Sequence, residues 1–404
     1  MRTAAQRRTL TVLVISQILS GAGLAAGITV GALLAQDMLG STSLAGLPSA
    51  LFTAGSAVAA ITVGRVSQAH GRRPGLAAGY ATGALGSAGV IAAAVLDNPV
   101  LLFAALFVYG AGSATNLQAR YAGADLAAPT HRARAISTVL VATTLGGVVG
   151  PNLAAPTGDL AATFGIPRLA GPFLLAGAAY ACGALVLALW LRPDPLRLAR
   201  TLDTAQPAVE TGAQAPAAPP RARGGAVLGA LVMVVTQLVM VAIMTMTPVH
   251  MHDHGHGTAA SGLVIAIHVG AMYLPSPLTG RLVDGYGRLA VAAASGIILL
   301  GAGILAAAAP ADSVALLALA LALLGLGWNL GLVSGTAIIT DTVPLATRAR
   351  TQGTVDVAIA IAGATGGLAS GVVVDLAGYP VLALTGGILS LAVLPAVAAT
   401  AHGR

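Results

Sequence analysis

Methionine and histidine are not spread evenly along this chain. Five of the eight methionines, Met233, Met240, Met244, Met246 and Met251, fall within one short stretch, and Met272 follows soon after. Five of the eight histidines, His250, His252, His254, His256 and His268, fall in the same region. Elsewhere Ala, Val, Leu and Gly supply the apolar bulk. Thioether sulfur and imidazole nitrogen are soft to borderline ligands, and among biological metals that set favours Cu(I). Zinc would ask for thiolate, carboxylate or more imidazole, and no such group stands beside Met240, Met244, His268 and Met272. Neutral ligands also hold a soft ion loosely enough to release it. A methionine on a helix face ordinarily packs, which is the expectation for Met233. A histidine in the middle of an apolar run is costly in lipid and functional by default, which is the expectation for His268.

The elements that must position these side chains are long apolar runs. Of 404 residues, 56% are hydrophobic and only 8% charged, where a soluble domain carries roughly 25% charged residues. So few charges cannot cover a water-facing surface, and lipid must be the main solvent. A bilayer-spanning helix needs about 20 mostly apolar residues. Twelve runs satisfy this, over 10–36, 44–66, 74–96, 99–122, 133–156, 168–192, 225–249, 259–281, 288–309, 312–336, 350–374 and 379–400. The predicted fold class is all-α: a polytopic membrane protein of twelve transmembrane helices. At 100° per residue, Met233, Met240 and Met244 share one face of the seventh helix with Gln237, and His268 and Met272 share one face of the eighth. Met240 and Met244 then lie roughly 7–14 Å below the outer end of their helix, and His268 and Met272 roughly 12–18 Å below theirs, at ~1.5 Å per residue. The depths overlap, so the four side chains are candidates for one metal site. The outer loop His250, Met251, His252, His254 and His256 is the candidate for metal capture.

The chain has 20 basic residues, all arginine, and a net charge of +7. Nearly all stand in the N-terminus and the even-numbered loops, without interleaved aromatics. That is the membrane-orientation pattern, not a nucleic-acid face. It predicts both termini in the cytoplasm and residence in the plasma membrane. Residues 193–224 are rich in Pro, Ala and charge and read as a flexible cytoplasmic linker between a six-helix half at 1–192 and another at 225–404. A repeat supports two halves. An offset of 216 residues maps Gly64 onto Gly280, Gly71 onto Gly287, Asp125 onto Asp341, Arg132 onto Arg348, Arg134 onto Arg350 and Asp159 onto Asp375. One unit of six helices has been copied, giving pseudo-symmetric halves.

The loops after the second and eighth helices carry a resemblance. Gly280, Leu282, Asp284, Gly287 and Arg288 resemble the signature loop G-x-L-x-D-x-x-G-R/K-R/K of the major facilitator superfamily. The first copy matches at Gly64, Gly71, Arg72 and Arg73, with Gln68 in place of Asp. The resemblance implies that superfamily's fold, a central cavity and alternating access. It implies gate roles for Arg72, Arg73, Asp284 and Arg288, and it leaves the Gln68 side without the family's carboxylate. A narrower resemblance joins Met240-x-x-x-Met244 and His268-x-x-x-Met272 to the MxxxM and HxxxM pair of the CcoA-like copper importers. It implies that these four residues ligate copper as a transported substrate, with no permanently bound cofactor.

Asp356, near the arginine-rich end of the eleventh helix, is read as a proton relay or as a partner of Arg348 or Arg350. Gln17, Asn116, Gln118, Arg120, Gln237 and Asn329 are read as cavity lining. The expected function is copper import, as Cu(I) or a copper complex. The alternative is proton-coupled export of drugs or metabolites, supported by the partial match of Gly146-Gly-Val-Val-Gly150-Pro151 to an antiporter motif. Aromatic residues at 3% are poor material for a promiscuous drug pocket. No nucleotide-binding loop or catalytic constellation is present, so an enzyme is not expected. The expected partners are the lipid bilayer, copper, and protons if Asp356 relays them. The expected state is a monomer.

Overall fold

A computed structural model describes residues 2–39, 47–205, 220–310 and 312–402. Every regular element among them is helical. In chain order these are α1 (Arg2–Leu39), α2 (Leu47–His70), α3 (Arg72–Val95), α4 (Pro99–Ala124), α5 (Arg132–Asn152), α6 (Ala154–Thr163), α7 (Gly171–Trp190), α8 (Pro195–Thr204), α9 (Pro220–Asp253), α10 (Thr258–Tyr273), α11 (Ser276–Tyr286), α12 (Arg288–Ala308), α13 (Val314–Thr342), α14 (Arg348–Ala377), α15 (Tyr379–Ser390) and α16 (Val393–His402). Ten helical segments among the described residues are long and apolar enough to cross a membrane. The other two expected spans, 10–36 and 133–156, coincide with α1 and α5. Both helices include residues whose side chains lie outside the description.

Local chemistry sets the helix ends. Asn98 caps α4 by accepting the Leu101 N–H, with Pro99 at the first helical position, where its missing N–H costs nothing. Between α2 and α3 the chain turns at Gly71 with φ +98°, and between α11 and α12 at Gly287 with φ +94°. Only glycine enters that left-handed region without strain, which explains why both repeat copies keep it. The eighth expected span is broken into α10 and α11. Pro275 and Pro277 cannot donate to the carbonyls of Ala271 and Tyr273, so the helix stops there.

The segment 193–224 differs from its expectation. Its first part forms α8, capped by the Asp194 carboxylate and holding Pro195, Leu196 and Ala199 buried. Ten residues are too few for a periodic pattern to stand out from a Pro- and Ala-rich sequence. The remainder, 206–219, lies outside the described residues, and helix resumes at Pro220, earlier than expected.

The chain divides into two compact units, 1–127 with 138–211 and 345–360, and 128–137 with 212–344 and 361–404. The first has an aromatic centre: Tyr80 stacks on Tyr180 at 5.7 Å, and Phe173 meets Tyr109 edge-on at 5.3 Å. Beside it, Gln17 donates to the Asn116 carbonyl and to the Thr143 hydroxyl, Tyr80 donates to Gln17 Oε1, and Asn116 donates to Ser20. Gln17 and Asn116, expected to line a cavity, are buried members of this network. Hydrogen bonds of this kind join helices where lipid supplies no hydrophobic drive. In the second unit α13 is the central helix, with α9, α10 and α12 packed on it and α15 against α12 and α9. Its middle is buried continuously from Gly327 to Thr340.

Candidate functional site

One face of α13 builds the environment of His268. Leu321, Gly325 and Asn329 recur every four residues and so stack along that face. The Leu321 carbonyl lies 2.8 Å from His268 Nδ1. A carbonyl only accepts, so Nδ1 must carry the hydrogen, and in the neutral ring Nε2 holds the lone pair. His268 is fully buried, and among the described residues Nε2 has no hydrogen-bond partner. Gly325 lets the α10 backbone approach: a Cβ there would run into the His268 carbonyl and crowd the Met272 nitrogen. Asn329 Nδ2 donates at 2.7 Å both to the Met272 carbonyl and to the Ser276 hydroxyl, and Thr279 donates to Asn329 Oδ1 at 2.6 Å. Asn329 therefore does not line a cavity. It supplies the donor that the break at Pro275 takes away, and thereby fixes Met272.

Met272 and Met240 are nearly buried, at 8% and 4% exposure, and Met244 is half-buried. Along α13, Gly335 meets Met233, Gly331 meets Thr236, and Trp328 Nε1 donates to Gln237 Oε1 at 2.7 Å. The order is reversed between the two helices, so α9 and α13 are antiparallel. At ~1.5 Å per residue, Met240 lies level with Gly325 and Met244 level with Leu321. That is the band of α13 that faces His268 and Met272. The structure thus gives the four candidate ligands one axial register on the two helices flanking α13. Met233 packs instead: its sulfur accepts from the Thr336 hydroxyl at 3.5 Å.

The outer loop is looser. The rings of His250 and His254 lie 4.4 Å apart, and His250 stacks on Tyr379, also at 4.4 Å. His254 Nδ1 donates to the His250 carbonyl. His252 is exposed, His256 is part-exposed, and Met251 is buried in the end of α9. Among the described residues no three His, Cys, Asp or Glu side chains gather at metal-holding spacing.

The charged candidates form two further clusters. In the first unit Arg72 Nε lies 2.8 Å from Asp125 Oδ2 with both side chains fully buried, and Arg72 also donates to Gln352 Oε1. Arg120 pairs with Asp356 at 2.8 Å, Tyr121 donates to the same Asp356 oxygen, and the guanidinium lies 4.1 Å over the Tyr121 ring. Asp356 therefore pairs with α4, not with Arg348 or Arg350 as expected. Those residues lie eight and six positions earlier on α14, out of register with its side chain. Arg73 is not in this cluster; its backbone N–H donates to Asp194. In the second unit Asp284 accepts the N–H groups of Ala133 and Arg134, both at 3.1 Å, and Arg288 and Arg132 both pair with Asp341. Gln352 and Tyr121 were not anticipated. Gln352 stands four residues before Asp356, on the same helix face, and that spacing was the available signal.

The family model of the Major Facilitator Superfamily matches residues 10–275 and 228–402. The chain belongs to the major facilitator superfamily. It is a multi-pass membrane transporter, of the secondary type, and not an enzyme. It is 58% identical over 392 residues to the MFS-type transporter YdeG of Bacillus subtilis, covering 97% of this chain and 91% of that one. It is 31% identical over 356 residues to the riboflavin transporter RfnT of Brucella anthropi, covering 87% and 85%. The crystal structure of the human organic anion transporter MFSD10 superposes with a TM-score of 0.78 over 97% of this chain and 99% of that one, at 17% identity. At that identity the likeness concerns the fold alone.

Proposed function

We propose that this transporter carries copper as Cu(I), bound by Met240, Met244, His268 and Met272 and imported by alternating access. The observation that carries the reading is His268 Nε2, a buried lone pair without a donor. Leaving such a group unsatisfied costs about 1–3 kcal/mol, a cost that is repaid when a ligand arrives. The hydrogen bond from Nδ1 to a backbone carbonyl is the arrangement that orients a metal-binding imidazole. Three thioethers in the same register complete a soft, neutral set suited to Cu(I). The MxxxM and HxxxM spacing adds the resemblance to the CcoA-like importers. Protons are the coupling ions in this reading. Asp356 Oδ2, buried and without a hydrogen-bond partner among the described residues, is where one would bind.

The similarity to a riboflavin transporter favours a second reading, a planar organic solute. Uptake of radioactive copper and of radioactive riboflavin, measured in parallel in cells lacking their own importers, separates the two. Copper uptake by the native chain, reduced at least tenfold by His268→Ala and by Met272→Ala at equal membrane levels, is expected. Copper uptake absent, or indifferent to both substitutions, would overturn the four-ligand site. Riboflavin uptake in its place would establish the second reading.

A further inference from the structure

At the junction of α2, α3 and α8 lies a cavity of about 330 Å³, lined by His70, Arg73, Pro74, Asp194 and Arg197. Its one carboxylate is already committed. Asp194 Oδ2 accepts the Arg73 N–H at 2.7 Å, and Oδ1 accepts the N–H groups of Leu196 and Arg197 at 3.1 Å. The left-handed turn at Gly71 admits it, since a Cβ there would strike the Asp194 carboxyl. Asp194 thus pins the start of α3 to the start of α8, and with them the backbones of both arginines. Among the described residues neither guanidinium, Arg73 nor Arg197, has a carboxylate ion-pair partner. The neighbouring Arg200 is different: it donates to the carbonyls of Gln68 and Leu345.

The depth of this cavity is marked independently. It sits where two spanning helices, α2 and α3, end and begin. Trp190, the last residue of α7, is 51% exposed and stands four residues before Asp194. An exposed indole at the end of an apolar helix belongs to the membrane–water boundary. Two unpaired guanidinium groups and an imidazole at that level form a phosphate-shaped donor set in the headgroup layer.

We infer that this cavity binds the headgroup of an anionic phospholipid. The phosphodiester takes the forks of Arg73 and Arg197, and His70 supplies a further donor. Bound there, the lipid bridges the α2–α3 turn to α8, whose Arg200 already holds the Gln68 segment. The site is independent of what is transported. The test is made on the full-length protein reconstituted in nanodiscs of phosphatidylcholine with a minor fraction of phosphatidylglycerol. Lipid retained after extraction into mild detergent is counted by native mass spectrometry. The native chain is expected to enrich phosphatidylglycerol severalfold over its share. The double variant Arg73→Gln, Arg197→Gln is expected to lose that enrichment, whereas Arg8→Gln, on exposed α1 surface, keeps it. Unchanged enrichment in the double variant would overturn the proposal. So would saturable binding of inorganic phosphate by the native chain with no phosphatidylglycerol enrichment, which would assign the pocket to a free anion.

Discussion

Gln68 at the end of α2 and Asp284 at the end of α11 occupy the same position of the repeat, and they hold the same kind of target with different chemistry. Asp284 presents a carboxylate to the first N–H groups of α5, at Ala133 and Arg134. Gln68 presents its amide oxygen to Ala349 and Arg350 of α14, which are the repeat equivalents, and its amide nitrogen donates to the carbonyls of Leu345 and Ala346. The departure from the signature loop at Gln68 therefore keeps the latch and removes its charge. The arginine that follows diverges in the opposite sense. Arg72–Asp125 is fully buried, whereas the equivalent Arg288–Asp341 leaves the two side chains 25% and 21% exposed. One copy has moved its charges inward, adding Arg120–Asp356 where the other copy has Thr336 and Leu140. The other copy keeps its charges at a wet, shared cluster. A duplicated latch can thus hold one geometry while its electrostatics drift apart.

The largest expected effect tests the buried side. Asp356→Ala leaves the Arg120 guanidinium in the interior without its counter-ion, a loss of about 3–5 kcal/mol, read as a lower thermal midpoint in detergent. Arg120→Met combined with Asp356→Leu should recover most of that stability, because a buried pair replaced whole by apolar groups is often neutral. If the double variant folds well yet transports without proton dependence, the pair serves coupling. If it retains native proton-coupled uptake, the pair serves only as a fastening and Asp356 is not the proton site.

Next in size is the difference between equivalent arginines. Arg72→Gln leaves the buried Asp125 carboxylate without its counter-ion but keeps an amide that can donate to it, so a loss toward the lower end of about 3–5 kcal/mol is expected. Arg288→Gln acts on a part-exposed cluster that keeps Arg132, and about 0–1 kcal/mol is expected. Equal shifts in thermal midpoint for the two would mean that burial does not separate the copies.

The architecture was legible because its signals are long. Twelve apolar runs, an arginine bias and a constant offset each extend over many residues, and the helices follow them. His268 and Met272 stood out as candidates for a related reason: a polar group in a lipid-facing sequence is anomalous wherever it stands, and a four-residue spacing names a helix face. The partners of Asp356 were not legible. Helix spacing reports neighbours within α14, whereas Arg120 lies more than two hundred residues away, and only packing brings α4 to it. Asn329 was misread for the same reason. Its amide serves a carbonyl left open by the break before Pro275, and that need appears only once α10 and α13 are side by side. The ligand set itself ignores the repeat: Leu24, Ile28, Phe52 and Ser56 stand where the second copy has Met240, Met244, His268 and Met272. Symmetry in the sequence therefore located the fold, and departures from symmetry located the candidate chemistry.

The smallest expected effect is the most direct probe of the two latches. An anion at a helix N-terminus contributes about 0.3–1 kcal/mol, and salt screens it. Asp284→Asn keeps a hydrogen-bond acceptor for the α5 N–H groups but removes the charge. It should lower stability by that amount at low ionic strength, with the difference from the native chain shrinking as salt rises. Gln68→Glu makes the opposite change. It places a carboxylate at the N-terminus of α14 and gives up the two donations to Leu345 and Ala346, each worth about 0.5–1.5 kcal/mol net. The lost donors outweigh the gained charge, so this variant should also be less stable, and adding salt should widen its deficit by screening the one favourable term. Thermal midpoints across a salt series distinguish the two slopes. A deficit for Gln68→Glu that narrows with salt would mean that charge repels at this end of α14, and the amide there would then be read as avoiding a carboxylate instead of replacing one.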